Sequence, residues 1–355
     1  MKVTAVEAVP YALPFREPYV TARGRLERRE MVLLRLRTDE GPEGLGEAVA
    51  MSLRGSSDAA SLAREILDLA EARLVGLEVR PDPPPLVDAL SPAASAAVEI
   101  ALLDLVAKAA EVPLWRALGA AEAEPVTCNA TLVAGPPAAV AADAERWASR
   151  GFETFKLKVG VPGDVGQVEA VRDAVGPLAR LRVDANGVWT PEDAVLRLTA
   201  MERHGVELAE QPAADLEDLA AVRNQTAIPI AADESVNSPD DARHATELGA
   251  CQLATVKLAK VGGPTAAREI AEELPVYLSS ALDGPVGIAA AAHVAQVLPS
   301  AAPWSMLAHG LATQLLFADT IAVAQCDLRA DLLHLPSGPG LGIVIDEPAL
   351  ERNRI

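Results

Sequence analysis

Apolar and polar positions alternate over the first 50 residues. Residues 3–14 read as a strand, and a polar stretch from Arg16 to Glu30 leads into Met31-Val32-Leu33-Leu34. Thr38-Asp39-Glu40-Gly41 is a turn signal, and Gly44-Leu45-Gly46-Glu47-Ala48 reads as another short strand or an edge. Over residues 57–120 the period becomes helical and the composition rich in Ala and Leu, as in 63–70 and 94–110. Strands followed by helices predict an α+β unit. Beyond residue 125, strand-like runs at 126–132, 154–159, 181–184, 206–210, 228–232, 253–258, 276–282 and 304–308 alternate with amphipathic stretches such as 165–175, 191–204 and 239–248. Thr190-Pro191-Glu192-Asp193 and Ser238-Pro239-Asp240-Asp241 are helix starts: a capping hydroxyl, then Pro, then acids.

Eight strand–helix units in roughly 200 residues predict a (β/α)8 barrel. An open doubly wound sheet is the alternative, but no Gly-rich phosphate loop supports it. The expected organisation is an N-terminal α+β capping domain over 1–122, a modified TIM barrel over 123–328, and a C-terminal segment, 329–355, that returns to complete the cap.

Composition narrows the chemistry. A net charge of −19 disfavours nucleic acid and anionic membranes as partners. The sequence has no run of about 18 apolar residues and no apolar signal core near its start. Three scattered cysteines show neither metal spacing nor a disulfide framework, which fits a reducing cytoplasm. The expected partner is a small-molecule carboxylate, with a homo-oligomer compatible with the sequence. Only six Lys stand among 31 basic residues, and four lie in Phe155-Lys156-Leu157-Lys158-Val159 and Lys257-Leu258-Ala259-Lys260. Arg stays charged at any ordinary pH, whereas a buried Lys can act as an acid or base.

Three carboxylates end candidate strands: Asp184, Glu210 and Asp233. From Lys158 the steps to Asp184, Glu210, Asp233 and Lys257 are 26, 26, 23 and 24 residues, each about one βα unit. Five charged groups would then converge on the C-terminal face, where such barrels place active sites. A single strand-end Asp is more often a turn former or helix cap, Glu210 alone could be a loop residue, and Lys156 and Lys158 alone could belong to a solvated edge. It is the joint order and spacing that points to a site. Oxygen-only ligands favour a hard ion, Mg²⁺ first and Mn²⁺ as the alternative. The two Lys segments would flank the α-carbon of a substrate carboxylate. A lysine beside a second lysine and a divalent cation has a lowered pKa, which suits it as a base. Asn186 reads as a support for the ligands, and Lys260, before Gly262-Gly263, as structural or as a contact behind the ligands.

Lys156-x-Lys158, Asp184-x-Asn186, Glu210-Gln211-Pro212, Asp233-Glu234-Ser235 and Lys257-x-x-Lys260-x-Gly262-Gly263 resemble the enolase superfamily, muconate lactonizing enzyme subgroup, over essentially the whole chain. The resemblance implies that Asp184, Glu210 and Asp233 bind Mg²⁺, that Lys158 and Lys257 are acid/base groups on opposite faces, and that Lys156 tunes Lys158. The seventh strand region, Ser279-Ser280-Ala281-Leu282-Asp283, lacks the His of the mandelate racemase branch. His293 then reads as a surface or packing residue. The eighth region, 304–313, lacks the Asp-x-Asp pair with which dipeptide epimerases hold an ammonium group. Residues 279–288 and 309–316 resemble o-succinylbenzoate synthases. That resemblance implies dehydration on the menaquinone pathway, with Ser279 and Ser280 near the substrate. N-succinylamino acid racemase and muconate cycloisomerase are the alternatives. The cap-loop arginines Arg23 and Arg25 either meet an acidic substrate group or belong to a solvated loop.

Overall fold

The structure, a computed structural model, describes residues 1–21, 24–51, 55, 57–80, 90–299, 302–304 and 307–355. The alternating N-terminal residues form an antiparallel sheet of β1 (Val3–Thr21), β2 (Gly24–Thr38) and β3 (Glu43–Val49), side by side in chain order. The middle of β2 is apolar on both faces because both are covered. Val32, Leu34 and Leu36 pack with helices α1 (Ala59–Leu69) and α2 (Pro92–Ala109), whereas Met31 and Leu33 join the larger core on the opposite side.

Helix α1 starts at Asp58, whose carboxylate accepts the Ser61 N–H at 2.7 Å. Helix α2 is buried almost all round and lies against β3 at backbone contact. A Cβ on Gly46 would run into the Ala97 carbonyl oxygen, and one on Gly44 would sit 2.6 Å from Leu105 Cγ. The alanines of α2 and the glycines of β3 thus serve the same close approach. Gly46→Ala is expected to cost about 1–3 kcal/mol through overpacking, seen as a lower thermal midpoint. An unchanged midpoint would mean that the helix can back away freely.

The run at 126–132 splits in two. β4 (Val126–Thr127) pairs antiparallel with Leu332–His334, and only β5 (Ala130–Leu132) enters the barrel. Parallel neighbours follow in order: β6 (Thr154–Lys158), β7 (Arg180–Asp184), β8 (Val206–Glu210), β9 (Ile230–Ala232), β10 (Leu253–Val256) and β11 (Val276–Leu278). Closure falls at His309 and Gly310. These residues bridge Cys128 on one side and Ser279 on the other, with Asn129 N to His309 O and Ser280 N to Gly310 O both 2.9 Å. The eighth strand expected at 304–308 therefore makes its contacts just beyond that run; residues 305 and 306 lie outside the described ones. The fold is a (β/α)8 barrel with an α+β cap.

Thr190 and Ser238 cap their helices, accepting the N–H of Asp193 and Asp241 at 3.2 and 3.1 Å. The last helix, Glu347–Asn353, lies by the first sheet: Arg35 meets Glu347 at 2.7 Å, and Ile355 N donates to Pro10 O at 3.2 Å. Among the described residues, no helix is long and apolar enough to cross a membrane.

Candidate active site

Parallel register sets the site. Lys158 pairs with Asp184, and Asp184 with Glu210, so three charged residues lie abreast at the C-terminal ends of β6, β7 and β8. Asp233 follows β9 by one residue and Lys257 follows β10 by one. Neighbouring strands lie about 4.8 Å apart, so a spacing of some 25 residues in sequence becomes side-by-side contact in space.

The three carboxylates are fully buried, and Lys156, Lys158, Lys257 and Lys260 are nearly so. Lys156 Nζ bridges Asp184 Oδ2 at 3.0 Å and Glu210 Oε2 at 2.5 Å. Lys158 Nζ reaches Asp184 Oδ2 at 2.5 Å and Asn186 Oδ1 at 3.2 Å. Lys257 pairs with Asp233 Oδ2, and Lys260 with Asp233 Oδ1 at 3.0 Å and with its carbonyl oxygen. Lys260 is therefore part of the charged cluster. The one-turn helix Leu258–Val261 folds it back onto Asp233.

Burial opposes ionisation of Asp184, but Lys156 and Lys158 outweigh it and hold the carboxyl well below the usual range. Burial, together with the Asp184 charge alongside, pushes Glu210 up. Burial would lower Lys158, yet Asp184 offsets this and the net direction is upward. The lowered Lys158 pKa expected from its neighbouring cation is thus not met by the protein's own groups, because Asp184, in direct contact with Lys158, raises it by more than Lys156 lowers it.

Asn186 supports Asp184: its N–H donates to Asp184 Oδ1 at 3.0 Å, from a backbone at φ 51° that Asn tolerates better than most residues. Its amide also donates to Glu234 at 3.1 Å. Gln211 Oε1 accepts the Asp233 N–H at 2.8 Å. The Tyr277 hydroxyl donates to Glu210 Oε2, and the buried Arg182 guanidinium lies 5.1 Å from the centre of the Tyr277 ring. Tyr277 gave no sequence signal, since it reads as one more apolar strand position. His293 is buried within a helix, accepting from Trp115 N at 3.1 Å.

The carboxylates suit a hard cation chemically: three oxygen donor groups, with Glu210 Oε1 buried and lacking a hydrogen-bond partner. As the side chains lie, no three acidic, His or Cys groups among the described residues are close enough to hold an ion. Asp184 and Glu210 share the Lys156 ammonium group, and Asp233 faces Lys257 and Lys260.

Lys156, Lys158, Lys257 and Asn186 open onto a pocket walled by Ser279, Ser280, Ala281 and Leu282 from the barrel, and by Tyr19, Leu26, Arg29 and Met51 from the cap. Ser280 Oγ accepts from Asp283 N and from Thr313 Oγ1, both at 2.8 Å. Arg25 is exposed, pairs with Glu27 at 2.8 Å and is not among the wall residues; Arg23 lies outside the described residues. Among the described residues, the arginine of the wall is Arg29, buried on β2 and donating to the Ala281 carbonyl.

Two family models match the chain: "Mandelate racemase / muconate lactonizing enzyme, N-terminal domain" over residues 3–119 and "Enolase C-terminal domain-like" over 139–349. The chain belongs to the enolase superfamily. This superfamily member falls in the mandelate racemase / muconate lactonizing enzyme group. It is 33% identical over 311 residues to a hydrophobic dipeptide epimerase of Enterococcus faecalis (strain ATCC 700802 / V583), covering 83% of this chain and 87% of that one. It is 42% identical over 203 residues to an o-succinylbenzoate synthase of Thermobifida fusca (strain YX), covering 55% and 62%. The solved dipeptide epimerase from Enterococcus faecalis V583, complexed with Mg and the dipeptide L-Leu-L-Tyr, superposes with a TM-score of 0.88 at 30% identity, covering 97% of this chain and 99% of that one.

Proposed function

We propose that this protein is a divalent-metal-dependent carbon–oxygen lyase that takes the proton α to a substrate carboxylate and eliminates water. In this reading it is an o-succinylbenzoate synthase of menaquinone biosynthesis, acting in the cytoplasm on a small-molecule carboxylate. The observation that carries the reading is the chemistry of the pocket wall. Three lysines and Arg29 line it, and none of the described lining residues is acidic. Such a wall favours an anion and offers no counter-ion to an α-ammonium, the group that a dipeptide substrate carries.

Asp184, Glu210 and Asp233 would hold the metal, with Mg²⁺ first and Mn²⁺ as the alternative. When bound, it would stabilise the charge that develops on the substrate carboxylate after proton removal. Lys158 would take the α-proton and return it to the departing hydroxide on the same face, so that water leaves. Lys257, reaching the pocket from the end of another strand, would stay protonated and stabilise the enediolate. Lys156 would set the charge state around Lys158 through their shared partner, Asp184. Ser279, Ser280 and Arg29 would shape the remaining substrate contacts. The three cysteines are free and buried, which is compatible with a reducing compartment.

A second reading, N-succinylamino acid racemase, is favoured by the same pair Lys158 and Lys257, both of which open onto the pocket. An acylated nitrogen also removes the ammonium problem. The experiment offers purified protein and Mg²⁺ the succinyl-hydroxycyclohexadiene carboxylate, N-succinylamino acids and the dipeptide L-Leu-L-Tyr. Dehydration is expected to be fastest and the dipeptide to stay unchanged. Racemisation outpacing dehydration would move the assignment to the second reading. Dipeptide epimerisation at a comparable rate would overturn the wall argument.

A further inference from the structure

The pocket wall after β11 is held from outside the barrel. Leu282 lines the pocket and has φ 65°, a left-handed backbone that costs a branched apolar residue energy unless its surroundings impose it. Both its flanks are gripped by cap side chains. On one side, Arg29 of β2 donates to the Ala281 carbonyl. On the other, Glu47 of β3 accepts the Gly284 N–H at 2.6 Å, at the start of the helix Pro285–Ala295. Tyr11 of β1 donates to the second Glu47 oxygen at 2.8 Å.

Tyr11 and Glu47 are buried, and the fit around them is close. A Cβ on Gly284 would lie 2.7 Å from Glu47 Oε2, and one on Gly287 would lie 2.9 Å from Glu47 Oε1. The segment braces itself as well: Asp283 Oδ2 accepts the Ala281 N–H at 2.6 Å. None of Tyr11, Glu47 and Gly284 lines the pocket.

We propose that Glu47, oriented by Tyr11, is a positioning residue through which the cap fixes the Ser279–Leu282 wall and so sets how tightly the substrate is held. A carboxyl group at a helix N-terminus is a natural fastener, because the free N–H groups there need acceptors. Loosening this anchor lets Leu282 relax towards an ordinary backbone and shifts the wall against the substrate, while the lysines on β6 and after β10 keep their places. The proposal rests on the reading above that this pocket holds the substrate.

The test compares Glu47→Ala, Glu47→Gln and Tyr11→Phe with the unmodified protein, all loaded with Mg²⁺. Two things are measured: KM and kcat for the cyclohexadiene carboxylate, and hydrogen–deuterium exchange of the peptides covering 279–287 and 154–158. Glu47→Ala is expected to raise KM about tenfold while kcat changes less than about threefold. Its 279–287 amides are expected to exchange about tenfold faster, with 154–158 unchanged. Glu47→Gln keeps an oxygen for Gly284 and is expected to restore KM to within about threefold of the unmodified protein. Tyr11→Phe is expected to raise KM by a smaller factor in the same direction. Should Glu47→Ala fail to fold, Tyr11→Phe decides, with Glu47→Gln as the variant that keeps the contact. KM and 279–287 exchange unmoved in the folded variants, even with a lowered thermal midpoint, would reduce Glu47 to a structural residue and overturn the proposal. If the unmodified protein turns over none of the substrates, the proton-abstraction reading fails, and the exchange measurement still decides whether the anchor holds the wall.

Discussion

Lys158→Ala is expected to stop exchange of the substrate α-proton with solvent, a loss of about 10³-fold or more, because the group that would move the proton is gone. Mg²⁺ binding is expected to persist. Asp184 keeps Lys156 at 3.0 Å and the Asn186 N–H at 3.0 Å, so its carboxylate remains ionised and oriented. The measurement pairs NMR detection of the α-proton in deuterated solvent with calorimetric Mg²⁺ titration of the same variant. Normal exchange would sink the assignment of Lys158. Exchange lost together with metal affinity would mean that Lys158 holds the cluster together instead of moving the proton. Lys257→Ala is expected to cripple both lyase and racemase chemistry, so it does not separate the two readings.

This pair of measurements works because the site is a charge lattice as much as a set of single groups. Four ammonium groups, those of Lys156, Lys158, Lys257 and Lys260, meet three carboxylates, each within salt-bridge distance of a partner. Buried charges persist only when paired. A base placed in such a lattice acts on substrate only when its carboxylate partner has another cation to face.

The barrel and its charged rim were legible because both are periodic. Each βα unit takes about 25 residues, and from β6 to β10 a charge at or just past the strand end repeats with it. What could not be read depended on packing across units. Arg28 and Arg29 are adjacent and identical in type, yet Arg28 is exposed and Arg29 lines the pocket. Only the docking of β2 onto the barrel separates them. Lys260 read as structural or as lying behind the ligands, and the one-turn helix that carries it back to Asp233 gave no sequence signal. Tyr277 sits at an apolar strand position, and its hydroxyl matters only because it meets Glu210 across the barrel interior. His293 looked like a surface or packing residue in an Ala-rich helix. Its ring is buried, so packing and not surface is its place, with Nε2 3.3 Å from Leu341 O, a partner 48 residues away. The strand expected to run on to residue 282 stops at Leu278, where the backbone breaks into the turn that shapes the pocket.

Lys156→Met is expected to have the largest effect on stability. Among the described residues, Lys156 is the only one whose ammonium group meets both Asp184 and Glu210, and all three side chains are buried. Removing one partner of a buried ion pair costs about 3–5 kcal/mol, since the remaining charge stays out of water. For a chain of this size the thermal midpoint should fall on the order of 10 °C. Part of the loss is cushioned, because Lys158 still faces Asp184 and Tyr277 still donates to Glu210. The informative step is the addition of metal. In the proposed site Lys156 and a divalent ion would compete for the same carboxylate oxygens, so the variant would have one competitor fewer. Mg²⁺ at a hundredfold its Kd stabilises a protein by about 2.7 kcal/mol; at one fixed Mg²⁺ concentration, the rise in midpoint should be larger for Lys156→Met than for the unmodified chain. Asp233→Asn serves as the control and should blunt the response in both backgrounds. A Mg²⁺ response absent from every variant would remove the metal from these carboxylates. A response no larger in Lys156→Met than in the unmodified chain would show that Lys156 and the ion occupy separate ground, and that Lys156 acts on Lys158 alone.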